Sequence, residues 1–162
     1  MMKLWKNLYI GLLILSSCQK APHEPITINL DHRTVLGMRG GDSLDQLKQQ
    51  YGPCVRYMEY TGSDPELCSV QDGSAEFEFS QNHHLVAFRT RFEEDFSVEI
   101  KKDKHTIVLK RGQELKKIKP PIMSLGFEPQ KGYGEESYEH HGIVLHFEKG
   151  KISSVYANLT RK

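Results

Sequence analysis

The chain has 162 residues, 38% hydrophobic and 27% charged, enough for one compact domain or two very small ones sharing a core and too few for a large active-site cavity. Its 22 basic and 21 acidic side chains nearly cancel, which argues against nucleic acid as a partner, since that needs a basic face. Beyond the first 25 residues no apolar run approaches the length of a membrane span.

Lys3 and Lys6 precede an apolar run, Leu8 to Leu15, that is too short to span a bilayer permanently, and small residues follow it. Residues 1–17 therefore read as a signal peptide. Leu15-Ser16-Ser17-Cys18 resembles the lipobox of bacterial lipoproteins. The resemblance implies cleavage before Cys18, a lipid on its thiol, and a protein held in the cell envelope by that lipid. Gln19 stands where an Asp would retain such a protein on the inner membrane, so the same resemblance implies the outer membrane, facing the periplasm. Residues 18–25 hold Pro22 and Pro25 with no apolar pattern and read as the lipidated cysteine and a short tether.

From residue 26 onward the pattern runs twice, at an offset of about seventy residues, as one unit over 26–92 and a second over 96–162. The first opens with a hairpin, Ile26 to Leu30 turning at Asp31-His32-Arg33 into Thr34-Val35-Leu36. A helix follows, with Ser43 as its cap, Gln46 completing a capping box, Leu44 and Leu47 on its apolar face, and Gly52-Pro53 as its stop. Cys54 and Cys68 come next. With Cys18 lipidated they are an even pair in an oxidising compartment, which predicts a disulfide worth about 3 kcal/mol in the chain-entropy model. The rival, a metal or redox pair, is not favoured by their spacing, which matches neither a short chelate nor C-x-x-C. Phe77 and Phe79 then lead through Asn82-His83-His84 to Leu85 and Phe88 as another hairpin.

The acidic stretch Glu93-Glu94-Asp95 marks the junction. In the second unit Phe96 to Ile100 and Thr106 to Leu109 flank the charged turn Lys102-Asp103-Lys104. Leu115, Ile118 and Ile122 give a helical stripe, and Pro120-Pro121 predicts a break into helix, turn, helix. Val144, Leu145 and Phe147 turn at Lys149-Gly150-Lys151 into Ile152 and Val155 to Ala157. The expected fold is α+β: two tandem repeats of strand, strand, helix, strand, strand, forming an antiparallel sheet with short helices packed on one face.

Leu36-Gly37-Met38, with Leu44, Leu47 and Tyr51-Gly52-Pro53, resembles the signature of the small lipoprotein of the outer-membrane β-barrel assembly machinery. Doubling of such a unit resembles the β-lactamase-inhibitor protein fold. Both resemblances imply a scaffold that grips proteins, with no catalysis and no cofactor. Two departures stand out: Gly40-Gly41 lengthens the link before the first helix, and Val108-Leu109-Lys110-Arg111 replaces Leu-Gly-Met in the second unit.

Gly41-Asp42-Ser43-Leu44 resembles the GDSL esterase signature, but no histidine follows an Asp by three residues as that chemistry requires, and the helix cap explains Ser43. Among the eight histidines, the adjacent pairs His83-His84 and His140-His141 point to opposite faces of a strand, so neither chelates a metal by itself. The loops between helix and sheet carry Tyr57 and Tyr60 in the first unit and Tyr133 and Tyr138 in the second. Tyrosines on constrained loops suit protein-binding anchors and serve equally well as core. The expected function is a non-enzymatic, lipid-anchored module that sequesters or inhibits an envelope protein, either a delivered toxin or a hydrolase. The alternatives are an adaptor for an outer-membrane assembly component and periplasmic metal binding through the histidines.

Overall fold

The computed structural model describes residues 24–59, 61–62, 64–91, 94–130 and 136–160. Cys18, Tyr60 and Tyr133 lie outside the described residues. The first half runs β1 (Ile26–Asn29), β2 (Thr34–Val35), α1 (Leu44–Tyr51), β3 (Arg56–Met58), β4 (Glu66–Val70), a 3-10 turn, β5 (Ala75–Phe79) and β6 (Leu85–Thr90). The second runs β7 (Ser97–Lys102), β8 (His105–Lys110), α2 (Leu115–Ser124), β9 (Glu128–Gln130), β10 (Glu136–His140), β11 (Ile143–Glu148) and β12 (Lys151–Asn158).

The α+β class stands, with three corrections. Four strands follow each helix where two were expected, because β3 and β9 are exposed throughout, β4 is buried throughout and β10 is irregular, so none shows the alternation that reveals a half-buried strand. The strands form two sheets: a four-stranded one ordered β2-β1-β7-β8, and an eight-stranded one ordered β3-β4-β5-β6-β12-β11-β10-β9. The larger is antiparallel throughout, while in the smaller β1 lies parallel to β7. Finally, α2 continues through Pro120 and Pro121 as one helix. Its buried stripe of Leu115, Ile118 and Ile122 keeps one face in the core on both sides of the prolines, and that burial outweighs their missing N–H donors.

α1 begins as its capping box dictates: the Ser43 hydroxyl accepts the Gln46 N–H at 3.2 Å and the Gln46 side-chain oxygen accepts the Ser43 N–H at 2.6 Å. Gly52, at φ 80°, ends it.

The two halves join through like strands. Ile26 and Ile28 of β1 lie beside Val98 and Ile100 of β7, and all four side chains are buried. In the larger sheet, Phe88 of β6 lies beside Ala157 of β12. One hydrophobic cluster takes in both helices and both sheets, from Ile26 to Ala157. Near the join Gly40 presses on the backbone of Leu159; a Cβ there would sit 2.1 Å from its carbonyl oxygen, so no other residue fits without displacing the last described strand's continuation.

Phe77 is fully buried, its ring centroid 5.4 Å from that of Phe88. Replacing it with alanine is expected to cost about 3–5 kcal/mol, read as a fall in the urea midpoint with an unchanged slope.

Candidate functional site

The site grows from the hairpin of β3 and β4. Cys54 and Cys68 are joined by a disulfide across a sequence separation of 14, which ties the start of β3 to the middle of β4. Cys68 is fully buried, so the bond anchors the outermost strand of the larger sheet to its core. β3 and the residue before it present an uncovered apolar surface: Val55 is 56% exposed, Tyr57 43% and Met58 57%. The opposite edge, β9, carries Glu128 and Pro129, residues that discourage another strand from pairing there. β3 has no proline, and its one charged residue, Arg56, is paired with Glu94 at 3.3 Å.

Tyr57 is aimed by a buried carboxylate. Glu66 opens β4 and is wholly withdrawn from solvent. Its two oxygens are satisfied separately: the Tyr57 hydroxyl donates to Oε1, and His83 Nδ1 lies 2.6 Å from Oε2. A carboxylate taken out of water requires such donors, and the phenol and imidazole replace its hydration. The bond to Glu66, with desolvation and the carboxylate charge adding to it, pushes the Tyr57 phenol up to about 12 from an ordinary value of 10.0. Lys48 of α1 places its ammonium 4.9 Å from the centre of the Tyr57 ring. Ser43, Asp45, Lys48, Tyr57, Glu66 and His83 enclose a cavity of about 280 Å³ beside the first turn of α1.

His83 lies in the turn of the hairpin read from Phe77 to Phe88. Its side chain is 66% exposed, yet its ring nitrogen reaches a carboxylate that sequence reading left unassigned. The turn makes this possible: His83 adopts φ 57°, which redirects the chain between β5 and β6. His84 faces elsewhere, its Nδ1 2.8 Å from the Gly41 carbonyl oxygen. His140 lies against the Gly126 carbonyl at 3.0 Å, and burial holds its imidazole below the ordinary range. Among the described residues no group of three or more His, Cys, Asp or Glu side chains is placed to hold a metal ion.

Tyr138 requires correction as a surface anchor. It is 1% exposed and packs edge-on against Phe147 at 5.8 Å, because alternation along β10 turns it to the core face. In the second half the place beside the first turn of α2 holds a cavity of about 470 Å³ lined by Lys116, Lys119, Lys149 and Lys151 with Glu114 and Glu136. The corresponding surfaces of the two halves thus differ in charge.

Comparison of the chain with protein-family models, with curated proteins and with solved structures finds no match.

Because the raised phenol favours its protonated form in the folded chain, its contribution to stability is complete below pH 10.0 and is lost as pH rises through about 12. An absorbance titration, taken as the difference from Tyr57→Phe, is expected to show that late ionisation. Glu66→Gln is expected to bring the midpoint back towards the ordinary value.

Proposed function

We propose that this chain is a lipid-anchored, periplasm-facing protein-binding module, of immunity or inhibitor type, that sequesters an envelope-targeting toxin or hydrolase. The signal over 1–17 and the lipidated Cys18 supply the anchor, and the two halves act as tandem repeats that together build the eight-stranded sheet. The observation that carries the reading is the edge of that sheet: Tyr57 and Met58, with Val55 just before them, stand exposed along a strand that a disulfide fastens to the core. Three large apolar side chains along an edge without proline suit a partner that adds main-chain hydrogen bonds along β3 and covers those side chains. Fixing the strand in advance reduces the entropy lost when the partner binds, which is the role assigned to the disulfide. Tyr57 is the central anchor, with its ring oriented by Glu66 and Lys48.

Envelope extracts passed over the oxidised full-length chain are expected to yield one stoichiometric toxin or hydrolase whose activity the purified chain inhibits. Substituting Val55→Glu together with Met58→Glu, or Cys54→Ser together with Cys68→Ser, is expected to abolish capture and inhibition while the fold's melting transition remains. Recovery of outer-membrane assembly components instead favours the adaptor alternative; capture that survives both double variants would overturn the assignment of the edge.

A further inference from the structure

The ground beside the first turn of each helix is filled in one half and open in the other. Strand register pairs Tyr57 with Cys68 and Pro129 with Tyr138, so Tyr57 corresponds to Pro129 and Glu66 to Glu136. The turns correspond as well. Leu44 donates its N–H to the His83 carbonyl at 3.3 Å and Leu115 donates its own to the Gly150 carbonyl at 2.8 Å, which sets Gly150 in the place of His83. In the first half Tyr57 and His83 reach in to meet Glu66. Pro129 and Gly150 carry no such groups; Glu136 is exposed, and the cavity is about 470 Å³ against about 280 Å³.

The lining of the larger cavity is mainly cationic. Lys116 and Lys119 come from α2, while Lys149 and Lys151 flank Gly150 between β11 and β12. Four lysines face two glutamates, an excess of two positive charges. Glu114 is already shared by Lys116 at 3.4 Å and Lys117 at 3.3 Å, and the Lys119 ammonium stands 5.8 Å from the centre of the Tyr138 ring. Among the described residues Lys149 enters no ion pair. Like charges gathered from two separate elements around a concavity repel one another and focus a positive potential into it, which a bound anion relieves.

We propose that this cavity binds a phosphomonoester of a polyol, its phosphate held by Lys116, Lys119, Lys149 and Lys151 and its hydroxyls by Glu114 and Glu136. A phosphate monoester carries a charge of about −1.5 to −2 at pH 7, which balances the excess on the lining. Lysine is a point charge that suits tetrahedral phosphate oxygens, whereas a carboxylate is best met by the planar fork of arginine, and the lining has none. The two glutamates accept from hydroxyls beside the phosphate and oppose a ligand of higher negative charge. A volume of about 470 Å³ lies within the range of small-molecule sites and leaves room for the group that carries the phosphate. Such an ester occurs free in solution or as the head group of a lipid, and the chemistry recognised is the same.

The test is isothermal titration of the full-length chain in a non-ionic detergent at low salt, with glycerol 3-phosphate in one arm and detergent micelles carrying phosphatidic acid in the other. One saturable site per chain is expected in at least one arm, and the arm with the tighter binding identifies the ligand as soluble or as a lipid head group. Lys149→Gln together with Lys151→Gln is expected to weaken binding about tenfold or more through lost charge-assisted hydrogen bonds, and added salt should weaken it in the unsubstituted chain. Lys104→Gln, in the turn between β7 and β8 and outside the cavity, should leave it unchanged. All three lysines are exposed, and melting curves establish that the variants are folded. No saturable heat in either arm, binding unaltered in the double variant, or equally tight binding of tetraglutamate, which points to an acidic protein segment instead, would overturn the assignment.

Discussion

Two pairings between like strands hold this molecule together, and neither half closes a sheet without them. β1 meets β7 in the smaller sheet and β6 meets β12 in the larger. Each join lies at the middle of its sheet, where side chains are buried and main-chain bonds are shielded from water. At the β1–β7 join, buried isoleucines and a valine sit in register, so a slip by one residue would bring either Thr27 and Asn29 or Glu99 and Lys101 to the core side. Both joins bring together residues about seventy positions apart, so the chain must close long loops before either half gains its full burial. The common core spanning both sheets is the physical return on that closure.

Within this frame a single carboxylate organises the edge. Glu66 sits at the start of β4, and burial there would be costly without partners. Tyr57 comes from the strand beside it and His83 from the turn after β5, so one buried group links the outer hairpin to the middle of the sheet. The disulfide makes a covalent link over the same hairpin. β3 is thereby an ordered edge although only three residues long. Short outer strands ordinarily fray, and this one is held through its side chains.

Local signals in the sequence were faithful where the interaction was local. The capping box at Ser43 and Gln46, the Gly52 stop, the hairpins at β1–β2 and β7–β8, and the Cys54–Cys68 bond all follow from spacing over a few residues or from the parity of the cysteines. What escaped was decided at longer range. The β3 and β9 strands exist because β4 and β10 offer them an edge, and no period in Arg56–Met58 or Glu128–Gln130 announces it. Pro120-Pro121 reads as a stop in isolation, but tertiary burial of Ile118 and Ile122 carries the helix past it. Tyr138 looked like its counterparts on the loops until strand parity placed it inside. The meeting of Glu66 with His83 depends on a positive φ in the turn between β5 and β6, and on a residue seventeen positions away that no local pattern singles out.

The positions of β1 and β12, the first and last strands described, give the fold an unusual relation to its surroundings. Both are interior strands, β1 between β2 and β7, β12 between β6 and β11. Tension entering through the segment before Ile26 is therefore delivered at the centre of a sheet. There it is opposed by hydrogen bonds along both flanks of β1 acting together in shear, where a peripheral strand would peel away one bond at a time. A pull at the other end meets β12 in the same manner, with Gly40 seated against Leu159 as a further stop. Tension at either point is thus met by an interior strand.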